Sequence, residues 1–196
     1  MHIHTTIVAA SGAALFATAV ASAQCPPEFV FTDSGQILGN GSSGLMAVGD
    51  LDGDGDADVV IPNRAVTFGD TVPNEIWLNA GNGTFYDSGQ RLGDESTYRA
   101  ILEDFNADGH LDIYFMNSGI SFPPPPHTIW MNDGTGTFTL GDQIQAFYSS
   151  VATGDVDGDG DVDLVLPGYD GPGKVMLNDG SGSFTDSGQP IFYPGQ

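Results

Sequence analysis

The chain has 196 residues, enough for one domain of ordinary size, and 40% of them are hydrophobic, so a packed core is available. Its formal net charge of -22 comes from 4 basic and 26 acidic side chains. This charge excludes nucleic acid and anionic membrane surfaces as partners, because phosphate binding needs a basic face. The 28 glycines and 12 prolines favour many short strands joined by tight turns over long helices.

The N-terminal segment is typical of a secretory signal peptide. An apolar stretch at 7–20 is too short to span a bilayer comfortably, and the small-residue triplet 21–23 follows as a cleavage site. We expect residues 1–23 to be removed and residues 24–196 to be exported to the extracellular space, the cell surface or the periplasm; an uncleaved anchor is the alternative. No later segment is apolar enough to cross a membrane. Because Cys25 is the only cysteine, no disulfide within the chain can stabilise it.

A six-residue phrase recurs along the chain and defines its repeats. It reads Phe-Thr-Asp-Ser-Gly-Gln from Phe31 and from Phe184, Phe-Tyr-Asp-Ser-Gly-Gln from Phe85, and has a degenerate copy from Phe138. The copies from Phe85, Phe138 and Phe184 each end a segment with the same internal order. The segment begins with a β-like run and an acidic loop, and two further β-like runs and a turn follow. The turn is rich in Asn, Asp and Gly, which is a hairpin signal. The repeats span approximately residues 45–90, 98–143 and 149–189.

One repeat is a four-stranded antiparallel unit of about fifty residues, the size of a propeller blade. We therefore predict an all-β fold of β-propeller-like blades with three complete repeats. Propellers have about four to eight blades, and Phe31–Gln36 is an additional fourth strand without a blade of its own. The chain is then a partial propeller: a piece of a longer one, a subunit that assembles with other copies, or an open stack of blades.

Each repeat carries an aspartate-rich loop of nine residues after its first β-like run. The loops begin at Asp50, Asp104 and Asp155 and hold half of the 26 acidic residues. Oxygen-bearing side chains occupy positions 1, 3, 5 and 9 of all three loops, and position 6 is always glycine. Calcium takes about six to eight oxygen ligands, and glycine permits the sharp turn that aims alternate side chains at one centre. Position 7 then offers its backbone carbonyl.

The residues after the loops distinguish this pattern from other metal sites. An EF-hand needs a glutamate at position 12 and flanking helices, whereas position 12 here is Ile61, Phe115 or Leu166 in strand-like runs. Magnesium suits such a carboxylate-rich loop less well, and zinc would need Cys or His clusters. One loop alone is equally compatible with a solvated acidic turn, but three in register favour strand–loop–strand calcium sites.

The stretches Gly49–Ile61 and Gly154–Leu166 resemble the calcium loops of FG-GAP and VCBS repeats, which form integrin α-subunit β-propellers and occur in many secreted bacterial proteins. The resemblance covers about residues 29–191 and implies a β-propeller fold, up to three Ca²⁺ ions between the first two strands of the blades, and roles in adhesion or carbohydrate binding. The second loop departs from the pattern at Asn106, which removes one negative charge. The metal residues implied by loop position are Asp50, Asp52, Asp54, Asp56 and Asp58, then Asp104, Asn106, Asp108, His110 and Asp112, then Asp155, Asp157, Asp159, Asp161 and Asp163.

The sequence thus predicts a secreted calcium-binding module for binding, adhesion or scaffolding, without enzymatic activity. Its expected partners are a protein or carbohydrate ligand, other copies of itself, or the continuation of a longer chain. The alternatives are a polysaccharide lyase or hydrolase and a calcium-dependent lectin. Nearly all paired carboxylates are assigned to metal, and His110 and His127 have no evident nucleophile to activate. A lectin site would use Trp77, Trp130 and Tyr169, although the regular spacing of the tryptophans favours core packing.

Overall fold

The computed structural model describes residues 32–39, 41–67, 70, 72–118, 124–145, 150–168 and 172–191. The predicted signal peptide, Cys25 and Tyr169 lie outside the described residues. The chain divides into two units, Met1–Ser34 and Gly35–Gln196, and all strands below belong to the second. The described residues form only strands, turns and irregular segments, so none of them builds an apolar helix of membrane-spanning length.

Twelve of the described strands form three four-stranded antiparallel sheets, each with its strands in chain order. The first blade consists of β2 (Ala47–Gly49), β3 (Asp58–Ile61), β5 (Asn74–Asn79) and β6 (Phe85–Leu92). The second consists of β7 (Thr97–Glu103), β8 (Asp112–Asn117), β9 (His127–Asn132) and β10 (Phe138–Ile144). The third consists of β11 (Ala152–Gly154), β12 (Asp163–Leu166), β13 (Lys174–Asn178) and β14 (Phe184–Asp186). The short strands β1 (Ser42–Ser43) and β4 (Asn63–Arg64) pair separately. The prediction of three propeller-like blades is confirmed.

Glycine-containing turns join the third and fourth strands of each blade. In the first blade, the Ala80 N–H donates to the Thr84 carbonyl at 2.9 Å, which closes the turn. Gly81 and Gly83 adopt φ values of 79° and 76°, in the left-handed region that favours glycine. The turns of the other two blades have the same closing bond, at 3.1 Å in both. The Asn-Gly and Asp-Gly signals of the sequence therefore mark real hairpins.

Consecutive blades pack against each other through apolar side chains. The core between the first and second blades is formed by Leu51, Val60, Ile76, Leu78, Leu92, Ala100, Ile113, Phe115 and Phe138. The core between the second and third is formed by Phe105, Tyr114, Met116, Ile129, Ile144, Val151, Leu164, Leu166, Met176 and Phe184. Burial of these side chains is the main stabilising contribution, since each removes apolar surface from water. The tyrosine of the second core also forms a buried hydrogen bond of 2.5 Å between its hydroxyl and His127 Nδ1.

Side chains at the ends of the fourth strands link each blade to the turn of the next. The Gln90 side chain donates from Nε2 to the Gly136 carbonyl at 2.5 Å and accepts from the Phe138 N–H at 3.0 Å. Gln36 forms the same two bonds to the turn of the first blade, at 2.6 and 2.9 Å. The last residue of the recurring phrase is therefore a connector between repeats.

The degenerate copy of the phrase connects with a different residue from the one its alignment suggests. Asp142 Oδ2 accepts from the Phe184 N–H at 2.8 Å, so it takes the position expected for Gln143. An irregularity in the β9–β10 register between Leu140 and Gln143 accounts for the one-residue displacement.

Candidate metal centre

The three acidic loops connect the first and second strands of their blades, and the first aspartate organises each loop. In the first loop, the Asp50 carboxylate accepts from the N–H groups of Gly53 and Gly55 at 2.9 and 3.0 Å. Both glycines have positive φ, at 76° and 92°. The third loop repeats these two bonds at 2.7 and 3.2 Å. The backbone thus winds around the position-1 carboxylate, as the sequence predicted for a tightly coiled loop.

Carboxylates at positions 1, 3 and 5 converge in two of the loops. Within each group the candidate ligand oxygens lie within 4.8 Å of one another, and the two groups are Asp50, Asp52, Asp54 and Asp155, Asp157, Asp159. Partial burial, together with repulsion from Asp58, Asp54 and Asp50, raises the pKa of Asp52. A hard divalent cation would relieve this repulsion, so the all-oxygen donor set fits calcium.

The second loop has a different internal structure. Asn106 Nδ2 donates to Asp108 Oδ2 at 2.9 Å, so this amide occupies one oxygen of its neighbour. Asp104 still accepts from the N–H groups of Asp108 and Gly109, at 3.2 and 2.8 Å. Ala107 stands at position 4, where the other loops have glycine, and its φ is 58°. This loop therefore has two carboxylates fewer than the others, at Asn106 and His110, together with a strained backbone residue.

The position-9 aspartates are fully buried hydrogen-bond acceptors. Asp112 accepts from the Phe105 N–H at 3.0 Å and from the Asn132 N–H at 2.8 Å, one bond on each oxygen. Asp58 and Asp163 make the corresponding two bonds in their blades. Burial raises the pKa of Asp112. These carboxylates tie the loop to the third strand, a role that the sequence pattern alone did not distinguish from metal ligation.

The position-7 side chains pack against turns instead of joining the convergent groups. Each lies beside a positive-φ glycine in the turn between the third and fourth strands of its own blade. The pairs are Asp56 with Gly81, His110 with Gly134 and Asp161 with Gly180. A Cβ atom on these glycines would lie only 2.5–2.8 Å from the neighbouring side chain. The positive φ favours glycine at these positions, and a larger residue there would also displace the position-7 side chain.

The side chains of asparagines at the ends of the third strands donate hydrogen bonds to the preceding blade. Asn132 Nδ2 donates to the Leu111 carbonyl of its own blade at 3.0 Å and to the Leu51 carbonyl of the preceding blade at 2.8 Å. Asn178 repeats the two bonds at 3.1 and 2.7 Å. The sequence analysis missed these residues, although an asparagine before each turn, including Asn79 in the first repeat, was a visible signal.

A polar cavity of about 260 Å³ lies on the first blade beside Trp77. The indole N–H of Trp77 donates to Glu75 Oε2 at 2.9 Å, and Arg91 pairs with Asp87 at 2.6 Å. Hydrogen bonding to Arg91 lowers the pKa of Asp87 to about 2. Trp130 packs against the core between the first two blades instead. Of the two described aromatic candidates for a lectin site, Trp77 is the one that lines this cavity.

Comparison with known protein families identifies the repeats. Residues 104–166 and 155–196 match the family model of the FG-GAP-like repeat. The matched stretch runs from the second acidic loop through the third blade and contains the third loop in both segments. A comparison with curated proteins found no match. The chain therefore carries FG-GAP-like repeats over residues 104–196.

Proposed function

We propose that the chain is a secreted binding or scaffold module whose blades are stabilised by calcium in the aspartate-rich loops. The observation that carries this proposal is the convergence of three carboxylates within 4.8 Å in the first loop and again in the third. FG-GAP-like repeats support a binding or scaffold role. The position of the loops, between two strands of every blade, gives the metal a structural role.

The loop structure explains how a bound cation would stabilise a blade. A cation would neutralise carboxylates that repel one another. Burial raises the pKa of Asp52, and repulsion from Asp58, Asp54 and Asp50 adds to this effect. The same loop is tied to the third strand by Asp58, which accepts from the Asn79 N–H at 2.8 Å. Ordering the loop therefore also holds the first three strands of the blade in place. A ligand that binds only the folded state stabilises it by about 2.7 kcal/mol at a hundred times its Kd.

Thermal unfolding in calcium, magnesium and chelator tests the proposal. We expect calcium to raise the melting temperature well above its value in chelator, with magnesium having a smaller effect. Asp54→Ala and Asp159→Ala should each weaken calcium binding measured by calorimetry. Asp94→Ala removes an exposed acidic side chain outside the loops and should bind calcium as the wild type does. A melting curve that does not move between calcium and chelator contradicts the proposal.

Export is tested separately from metal binding. The apolar stretch at 7–20 and the small residues at 21–23 support cleavage after Ala23. In a secreting host, N-terminal sequencing of the exported chain should then begin at Gln24. A chain that stays in the cell with its N-terminus intact would contradict the predicted signal peptide.

A carbohydrate-binding role is the second candidate, and the cavity beside Trp77 favours it. An indole next to paired carboxylate and guanidinium groups offers both a stacking surface and hydrogen-bond partners for a sugar. A glycan array, probed with and without calcium, would reveal this activity. Binding lost in Trp77→Ala but retained in Trp130→Ala would support the cavity as the site, and absence of product would separate a lectin from an enzyme.

A further inference from the structure

The two junctions between blades are built from the same contacts. At each junction an asparagine after the third strand donates to a loop carbonyl of the preceding blade: Asn132 to Leu51 at 2.8 Å, and Asn178 to Phe105 at 2.7 Å. The accepting residue stands at position 2 of its loop, and its side chain is 1% exposed in both cases. We call the side of a blade that faces the next blade its trailing face, and the opposite side its leading face.

The trailing face of the third blade has the same apolar pattern but remains accessible. Val156, at position 2 of its loop, is 49% exposed. The face consists of Val156, Val165, Val175, Leu177 and Ile191, and each of these residues is only partly buried or exposed. Their counterparts in the first blade, all buried by the second blade, are Leu51, Val60, Ile76, Leu78 and Leu92. Nothing among the described residues covers this face in the way that the next blade covers the others.

The connector of the third blade is exposed as well. Gln189 stands two residues before Ile191, as Gln90 stands two residues before Leu92. Gln90 bonds to the turn of the following blade, whereas the side chain of Gln189 is exposed. The third blade therefore presents an apolar face, a loop carbonyl and a connector, which are the three components of a trailing junction.

The leading face of the first blade presents the complementary hydrogen-bonding groups, while its apolar residues Val59 and Ile61 are already buried within the chain, at 8% and 1% exposed. Asn79 Nδ2 donates to the Ala57 carbonyl of its own blade at 3.1 Å, but the described residues supply no second acceptor from a preceding blade. The turn of this blade bonds to a glutamine side chain through the Gly83 carbonyl and the Phe85 N–H, at 2.6 and 2.9 Å. That glutamine is Gln36, which stands where the connector of a preceding blade would stand.

We propose that the trailing face of the third blade binds the leading face of the first blade of a second copy of the chain. The partner's Asn79 donates to the Val156 carbonyl, and Gln189 displaces the partner's Gln36 from its turn. Both faces belong to the three described blades, so two copies of these blades would close a ring of six, within the range of about four to eight found in propellers. The contacts join protein groups directly and need no metal, so the proposal goes beyond the calcium-stabilised module and can be tested apart from it.

Two features weaken this association and set the conditions for detecting it. Gln36 competes with Gln189 for the same turn groups, and a net charge of -22 on each copy produces repulsion between them. At an ionic strength of about 0.15 M the screening length is about 8 Å, so repulsion between distant charges is small. Association should therefore be measured at this ionic strength, both with calcium and with chelator.

Sedimentation of the full chain at up to about 100 μM, where an interface with a micromolar Kd is populated, tests the proposal. We expect a dimer for the wild type and a monomer for Val156→Asp, with circular dichroism confirming that the variant is folded. The matched control is Leu140→Asp, because Leu140 is 48% exposed on the second blade and lies outside the proposed interface. Its dimerisation should be unchanged. A monomeric wild type in both metal conditions, or an equal loss of dimer in Leu140→Asp, overturns the proposal.

Mixing two monomeric variants tests the head-to-tail geometry. Asn79→Asp removes the amide donor but keeps the Oδ1 atom that accepts from the turn N–H groups of Gly81 and Gly83. It alters the leading face and also removes the bond to the Ala57 carbonyl of its own blade, whereas Val156→Asp alters the trailing face. We expect neither variant to dimerise alone and the mixture to form a dimer through its one intact interface. A mixture that stays monomeric rejects this pairing of faces.

The competition by Gln36 gives an effect of opposite sign. Gln36→Ala removes both bonds of the competing side chain and should tighten dimerisation about tenfold, the effect of one or two net hydrogen bonds. A Gln36→Ala, Val156→Asp double variant should again be monomeric. If Gln36→Ala weakens the dimer while the melting curve of the chain is unchanged, the displacement of Gln36 by Gln189 is wrong.

Discussion

The buried position-9 aspartates have a stabilising role that can be separated from metal binding, and Asp112→Ala isolates it. Its two oxygens accept from the N–H groups of Phe105 and Asn132 at 3.0 and 2.8 Å, and its side chain is fully buried. Replacement by alanine leaves two buried N–H groups without this acceptor. If calcium binding were the only role of the aspartate, the substitution would have no effect in chelator.

The contacts of this carboxylate give the magnitude. A hydrogen bond to a charged group contributes about 1.5–3 kcal/mol net, so two contribute about 3–6 kcal/mol. Burial of the charge opposes this contribution, as the raised pKa of Asp112 shows. We therefore expect Asp112→Ala to lower the free energy of unfolding by about 3–5 kcal/mol, a large part of the about 5–15 kcal/mol typical of a native protein. Asp112→Asn, which keeps one acceptor oxygen, should have a smaller effect.

Urea denaturation in chelator measures this loss, with the wild-type slope as a check that the same surface is exposed on unfolding. The matched control is Asp108→Ala in the same loop. Asp108 is exposed and accepts from the His110 N–H at 2.9 Å, so its removal should cost about 1 kcal/mol or less in chelator. A loss below about 1 kcal/mol for Asp112→Ala, or a loss seen only in calcium, would refute the proposed tie between loop and strand.

Three further substitutions test local features. Ala107→Gly should raise the free energy of unfolding by about 1 kcal/mol, because the φ of 58° is strained for alanine. Ala57→Gly is the control and should not stabilise the chain, since Ala57 does not have a positive φ. Thermal unfolding compares the two variants. Burial lowers the pKa of His127 from 6.5 to about 4, so as the pH falls the unfolded state binds a proton before the folded state does. The stability contributed by the neutral ring is therefore fully present above pH 6.5 and falls by about 3 kcal/mol towards pH 4. Urea titrations across this range should show a weaker pH dependence in His127→Gln. Gln90→Ala should lower the free energy of unfolding by about 1–3 kcal/mol through loss of two bonds between blades, while Gln143→Ala, which is not the connector in its repeat, should change it little.

Much of the fold was predictable because short sequence patterns mark the strands and turns of each repeat. The glycine-containing turns and the alternation of short apolar runs specify hairpins, and one recurring phrase sets the repeat length. The predicted runs overlap strands in all three blades, whereas residues 32–36, predicted as part of an additional fourth strand, form no strand. The order of strands in each sheet follows from this, since consecutive strands joined by short turns pair as neighbours.

The different roles of the aspartates within each acidic loop were harder to predict from the sequence. Asp54 and Asp58 are the same residue type at positions 5 and 9 of one loop, yet Asp54 is exposed beside other carboxylates and Asp58 is fully buried. Only the approach of the third strand, which brings the Asn79 N–H to Asp58, creates this difference. The displaced connector Asp142 was equally hidden, because a strand irregularity shifts the register by one residue.

The bonds of Asn132 and Asn178 across the junctions have a consequence for how such a protein could change in length during evolution. A duplicated blade would carry both halves of the junction, the donor amide and the acceptor carbonyl, so these bonds could form again between it and its neighbours. A substitution at one side of a junction must stay compatible with the residue on the other side, whereas the insertion of a whole repeat brings both the donor and the acceptor. Gain or loss of complete blades is thus a more accessible path for this chain than gradual remodelling of any one of them.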